Sequence, residues 1–473
     1  MAMAMAMAMA AAAGPRRVIG RSGSETRFMG VRIIQIDLAQ PLPTLQTTSP
    51  DRRQAAPIWI LVKLGPQPVG WVRCDDPKKF GTTIGPDQLL KLANDALSRE
   101  IQAAARNGAL EPITLTRTPS FSIVLCTPRD GGDQSPLERQ LQSIAKLHYP
   151  PANYEVIVVG DSNAVSRSVC AKFPFVRYSY DPRLGVNYAR NTGWQLARCE
   201  IVAYVDAGAI VDPEWLNGLA VDYADSQVDC VTGVALPREI DTPLQARLEL
   251  HLAAARPLRR RVYRPGTWNA TFPLDATCFG GAANVSLCRT ALETVGGFDV
   301  ALSAEAGVLD IYTRVLRDGG AIVHDPRAII FQAYPRNTRA LRASAFDAAH
   351  AFTSFCTKHA YDFELGNFAM PLIARWFKQR LLGVLRGHHL SRDLAFAELL
   401  GGVLGLRSYG RAVRRVRKDQ STFAKRGMTP LEVPLRVVAA AAGPVGAPIA
   451  VARSPTRPQK PSKPARGRKA RAA

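Results

Sequence analysis

From residue 121 to 205 the chain alternates short apolar runs with stretches of helical spacing, and this alternation constrains the fold more than any other feature. FSIVLC at 121–126, YEVIVV at 154–159, VRYSY at 176–180 and IVAYV at 201–205 have the length and β-branched content of buried strands. Between them, residues 137–147 and 184–197 carry apolar side chains at helical spacing. Strand–helix–strand with short connections predicts an α/β fold, a parallel sheet covered by helices on both faces. Ligands of such sheets sit outside the carboxyl ends of the strands, here residues 127–130, 160–162 and 206–208.

The 473 residues exceed what one core usually fills, so the chain divides. Residues 1–28 open with MAMAMAMAMAAAAGPRR, a low-complexity leader without the basic start of a signal peptide. Residues 29–118 read as a small N-terminal α/β domain. It has a strand near 31–38, a hairpin of IWILVKL and VGWVRC around GPQP, and a helix over 86–105. Residues 119–365 hold the alternating domain, 366–425 a helical basic extension, and 426–473 a Pro- and Lys-rich tail with nothing to bury. The most apolar late stretch, VVAAAAGPVGAPIAVA at 437–452, is shorter and richer in Ala, Gly and Pro than a membrane span.

The net charge of +22 is concentrated at the end of the chain. From Leu406 onward there are 17 Lys or Arg against Asp419 and Glu432, a net of +15. Two readings stand for that tail, a solubilising segment or a peripheral contact with anionic membrane. Tyr409 and Phe423 are its only aromatics, too few to stack the bases of a nucleic acid. Eight scattered cysteines without CxxC spacing argue against a structural zinc site or a disulfide scaffold and for a reducing cytoplasm. His324, a lone histidine beside a strand, reads as structural, and His350 and His359 flank a helix beyond the core with no matching ligand nearby in sequence.

The strongest local signal is AYVDAGAIVDPEWL at 203–216. Asp206 ends a parallel strand, where a carboxylate meets the ligand crevice and can accept from ribose hydroxyls or hold Mg²⁺ or Mn²⁺ on a diphosphate. Asp212, followed by Pro213 and Glu214, reads instead as a helix cap.

Together with FSIVLCTPRD, YEVIVVGDS, LGVNYARNTG, FGGAANVSLCRTALETVGGFD and LDIYTRVLRDGG, this segment resembles the family 2 glycosyltransferases of the GT-A fold over about residues 119–360. The unit before it is similar to a leader domain of some bacterial members. The resemblance implies an inverting transfer of sugar from a nucleotide-sugar donor to an acceptor hydroxyl on a glycan, lipid or small molecule. It places Thr127, Arg129, Asp161, Arg190, Asn191 and Asp206 around the nucleotide, and Gly280, Gly281 and Asn284 on the floor beneath donor and acceptor.

The departures are specific. The Asp-x-Asp motif reads Asp206-Ala207-Gly208, so the direct metal ligand of the family is replaced and only Asp206 remains to hold a cation. The acidic pair before the last helix reads Gly307-Val308, and a His after the last strand reads Gln332. An acceptor hydroxyl needs a base, and the nearest carboxylates are Glu305 and Asp310, the latter expected to begin the helix. Two functions follow: a transferase with Glu305 or Asp310 as base, or a pseudo-enzyme binding nucleotide, sugar or partner without turnover.

Overall fold

The computed structural model describes residues 30–49, 52–111, 115–127, 135–160, 164–183, 185–265, 279–361, 365–386 and 389–425. The predicted leader, the tail and its apolar stretch at 437–452, Arg129 and Asp161 lie outside the described residues.

The N-terminal unit is a three-stranded sheet of β1 (Arg32–Asp37), β2 (Ile58–Leu64) and β3 (Gln67–Cys74), with helix α1 (Pro86–Arg106). β2 and β3 form the expected antiparallel hairpin, while β1 pairs with β2 in parallel. Strand alternation sends Ile58, Ile60, Val62 and Leu64 to one core with Leu89 and Ala93 of α1. Leu61, on the opposite face, packs against Val234, Leu236, Ile329 and Phe331 of the larger domain. Each such side chain contributes about 1.5–3 kcal/mol when fully buried.

The larger domain begins with β4 (Phe121–Cys126), α2 (Ser135–Ile144), β5 (Tyr154–Gly160), α3 (Ala164–Cys170), β6 (Val176–Tyr180), α4 (Val186–Leu196) and β7 (Ile201–Val205). There follow β8 (Ile210–Val211), α5 (Trp215–Ala220), β9 (Val228–Pro237), α6 (Pro243–Ala255), β10 (Arg261–Tyr263), β11 (Asn284–Cys288), α7 (Arg289–Val295), α8 (Ala304–Arg317) and β12 (Ala321–Gln332). Among the described residues the sheet runs β6-β5-β4-β7-β11-β9-β12-β8, with β10 beside β12. The first four strands are parallel, β11 is antiparallel to both neighbours, and β9 and β12 are parallel again. Along β4 and β7, Val124, Val202 and Tyr204 enter one core, while Ile123, Leu125, Ala203 and Val205 enter the other. Both faces are therefore covered, as an α/β sheet of this type requires.

Helices α9 (Thr338–Ala360), α10 (Gly366–Arg386) and α11 (His389–Lys425) complete the described chain and supply Phe352, Phe355, Trp376 and Tyr409 to the first of those cores. No described helix is long and apolar enough to cross a membrane.

Two local starts differ from the sequence pattern. Helix α5 begins at Trp215 rather than at Pro213. Asp212 Oδ1 accepts from the Glu214 N–H at 3.0 Å, its carbonyl accepts from Trp215 N–H at 2.9 Å, and its carboxylate faces Lys63 at 3.6 Å. Helix α8 begins at Ala304 rather than near Asp310, which brings Glu305 into its first turn.

Candidate active site

Strands are added on one side of β4 through β5 and β6, and the chain then returns to lay β7 on the other side. The crevice outside the carboxyl ends of β4 and β7 is thus the switch point of the sheet, where ligands of open α/β sheets bind. Val205 of β7 pairs with Leu125 of β4, which sets Asp206 and Thr127 at that point. Thr127 N–H donates to the Val159 carbonyl at 3.1 Å, but its buried hydroxyl has no partner among the described residues. An unsatisfied hydroxyl at a ligand edge is a group waiting for a hydrogen bond.

Asp206 is held through its backbone. Its N–H donates to Ala283 O at 2.9 Å, and Gln140 of α2 donates from Nε2 to Asp206 O at 2.7 Å while accepting from Gly208 N–H at 3.1 Å. The carboxylate itself is left to face the crevice. Water reaches it, yet protein surrounds it on most sides. Enclosure pushes its pKa above the usual carboxylate range and the negative charge of Glu305 adds to this, against the Arg190 guanidinium and the Ala207 N–H, which favour the ionised form.

Arg190 connects this floor to α8. It leaves α4 over the Phe298 ring, 5.3 Å from its centroid, and donates from Nη1 to Asn187 Oδ1 at 3.1 Å and to Ala304 O at 2.7 Å. Asn187 Nδ2 lies on the carbonyls of Asp299, Leu302 and Ser303 at 3.1, 2.9 and 3.2 Å. These bonds tie down the chain just before Glu305 and account for the early start of the helix. Cys126 stands in the same field, its thiol pushed up to about 12 by burial, with Arg190 opposing and Asp206 reinforcing the shift.

The positions that depart from the family pattern have lost the room for what is missing. Gly208 has φ of 75°, and a β-carbon added there would come within 2.9 Å of the Pro136 side chain. A β-carbon at Gly307 would overlap the Asn187 amide, and Val308 is 1% exposed within the core. Asp310 is sealed from water. Its carboxylate meets Arg314 at 2.7 Å, Lys358 at 2.8 Å and His359 Nε2 at 3.1 Å. Burial alone would raise its pKa, but Arg314, Lys358 and His359 hold it well below the usual range. Of the two carboxylates singled out on this helix, Glu305 is the one whose charge acts on Asp206.

The remaining sequence-selected side chains are divided. Asn191 is spent on Phe298, donating to its carbonyl at 2.8 Å and accepting from its N–H at 2.8 Å. Asn284 accepts from Trp215 Nε1 at 2.9 Å and donates to Ala328 O at 2.9 Å, tying β11 to α5 and β12. Gly280 has φ of 124° and abuts Thr232, whereas Gly281 opens onto free space. His324 is buried against Thr232 Oγ1 and Pro257 O, both at 3.1 Å, in agreement with a structural role. Gln140 lies in no motif, and Asn187, though inside LGVNYARNTG, is not singled out by the sequence because it acts largely on backbone carbonyls.

A resident Mg²⁺ or Mn²⁺ takes about six oxygens in its shell, and the residues here do not fit one. Gly208 offers no carboxylate and no space for it, and the described residues contain no cluster of three or more His, Cys, Asp or Glu that could hold a metal.

Residues 122–286 match the sequence model for Glycosyl transferase family 2. The match spans Thr127 to Asn284 and ends before Glu305. No curated protein matches the chain. Among solved structures, the mannosyltransferase PcManGT from Pyrobaculum calidifontis in complex with GDP-Man and Mn²⁺ is 16% identical, with a TM-score of 0.38 over 72% of this chain and 89% of that one. GalNAc-T7 with UDP, GalNAc and Mn²⁺ is 15% identical, with a TM-score of 0.36 over 53% of this chain and 52% of that one. TarS 1–349 of S. aureus is 14% identical, with a TM-score of 0.36 over 63% of this chain and 91% of that one.

Proposed function

We propose that this chain, which carries a GT-A-type family 2 glycosyltransferase domain, moves a sugar from a nucleotide donor to an acceptor hydroxyl with inversion, at the cleft of Asp206, Arg190 and Glu305. The observation that carries the reading is Asp206 itself, a water-accessible carboxylate enclosed by protein at the switch point, with Glu305 close enough to act on its charge. Asp206 accepts from the ribose hydroxyls, and the Thr127 hydroxyl supplies a further hydrogen bond to the nucleotide. The acceptor oxygen forms its bond to the anomeric carbon as the bond to the diphosphate breaks, and that electron pair leaves with the nucleoside diphosphate. Glu305 takes the acceptor's proton. Arg190 holds the first turn of α8 so that this carboxylate is in place. No step runs through a metal.

The second reading, a GT-A pseudo-enzyme, is favoured by the closed space at Gly208 and by Val308 lying in the core. Calorimetry with nucleoside diphosphates, with and without Mn²⁺, combined with turnover of a panel of nucleotide sugars, separates the two. Wild type should bind nucleotide independently of Mn²⁺ and release nucleoside diphosphate from one donor. Asp206→Asn should bind about ten- to a hundredfold more weakly, the loss of one or two charge-assisted hydrogen bonds. Nucleotide binding unchanged in Asp206→Asn would remove the cleft from consideration, and binding without turnover of any donor would select the pseudo-enzyme.

A further inference from the structure

Helices α10 and α11 form a hairpin, joined across residues 387–388 and clamped inside by a buried Arg380–Glu398 ion pair at 3.1 Å. Their inner sides are ordinary core, with Leu372, Ile373, Trp376 and Tyr409 buried. Their outer sides are not. Of thirteen large apolar side chains exposed among the described residues, eight lie on these two helices. Leu381 and Leu385 on α10, and Phe396, Leu400, Val403 and Leu404 on α11, are between 44% and 64% exposed. Soluble surfaces rarely gather apolar side chains in this way without an occupant.

The charge pattern identifies that occupant. Continuing along α11 from Phe396, Leu400 and Leu404 at helical spacing come Arg407, Arg411, Arg414 and Arg415, all exposed. One helix face therefore presents an apolar half followed by a cationic half, and Arg375 and Lys378 add exposed cations on α10. A nucleic acid would use the arginines and leave the Leu and Phe in water. A bilayer uses both, since acyl chains take apolar side chains and anionic headgroups take the guanidinium groups of a helix lying in the interface.

We infer that the outer face of the α10–α11 hairpin is a docking surface for an anionic lipid bilayer, with Phe396, Leu400 and Leu404 entering the acyl boundary and the arginines from Arg407 onward on the phosphates. The inner side of α11 transmits this position to the body of the enzyme. Thr353 Oγ1 donates to Gly402 O at 2.8 Å, and the Tyr409 hydroxyl donates to Asp299 Oδ2 at 3.1 Å, in the turn that leads into α8. A docked bilayer would therefore bear on the helix that is bonded to the turn before α8.

Sedimentation of the full chain with vesicles tests this. Wild type should pellet with phosphatidylcholine–phosphatidylglycerol vesicles, and less with phosphatidylcholine alone or at high salt. Phe396→Glu with Leu400→Glu, and separately Arg411→Glu with Arg414→Glu, should each weaken that binding by about tenfold or more with an unchanged melting temperature. Vesicle binding at the wild-type level in both double variants would overturn the proposal, because it would place all lipid contact elsewhere in the chain. So would a solution mass that halves in the Phe396→Glu, Leu400→Glu variant, since the face would then be closed by a second copy. Preference of the wild type for RNA over anionic vesicles would count against it equally.

Discussion

Helix α8 carries two carboxylates in different surroundings. Glu305 stands in its first turn at the edge of the cleft, where its charge reaches Asp206. Asp310, further along the same helix, is closed off from water and shared among Arg314, Lys358 and His359, with Lys358 also on Asp299 at 2.7 Å. A carboxylate held by three cationic or hydrogen-bonding partners has its proton affinity spent on structure, and an acceptor sugar has no path to it. Glu305, half-buried rather than sealed, is the carboxylate of this helix to which the proposal gives the proton transfer. Charge alone does not mark a catalytic group; what separates the two is that Asp310 is sealed from water while Glu305 is half-buried and acts on Asp206.

The comparison can be broken most forcefully at Asp310. Asp310→Asn leaves the buried Lys358 with Asp299 as its remaining carboxylate and takes the ion pair from the half-buried Arg314, and should cost about 3–5 kcal/mol in urea denaturation. The pH dependence has a definite sign. Because the folded pKa of Asp310 is depressed, its stabilisation is complete above the ordinary carboxylate range and is lost as pH falls through the folded value. The wild type should therefore lose more stability on acidification than Asp310→Asn, which keeps only the limb from other depressed carboxylates such as Asp181. A variant as stable as wild type at neutral pH would mean that the buried network does not hold α8.

A smaller effect is expected at Gly208. Restoring the second carboxylate by Gly208→Asp places a side chain in a left-handed backbone against Pro136, and should cost about 1–3 kcal/mol. Titration calorimetry should show no gain in Mn²⁺ affinity. Tight Mn²⁺ binding by this variant would show that the turn can open and that the closed space is not what excludes a metal. The smallest stability effect belongs to Glu305→Gln, within about 0.5 kcal/mol of wild type in the same denaturation experiment.

Much of this was legible from sequence because it rests on local periodicity. The hairpin of β2 and β3, the strands β4 to β7 and the placement of Asp206 at a strand's carboxyl end all follow from apolar spacing. What was not legible depends on partners far away in the chain. Nothing near Asp310 announces Lys358 and His359, which arrive on α9, and His359 taken alone looked like a histidine without a partner. The start of α8 is set by Asn187 and Arg190 holding carbonyls of residues 299–304, so the sequence pattern begins the helix too late and leaves Glu305 in a loop. The Gly208 turn could be read as a missing ligand, but its left-handed backbone and the nearness of Pro136 are facts of tertiary packing.

The most direct test is turnover of the matched nucleotide sugar by wild type and Glu305→Gln, measured beside nucleotide affinity and melting temperature. With Glu305 as the base, the variant should lose about 10²–10⁴-fold in kcat while stability and nucleotide binding remain near wild type. Turnover retained by a folded Glu305→Gln protein would contradict the assignment and move the proton transfer to another group.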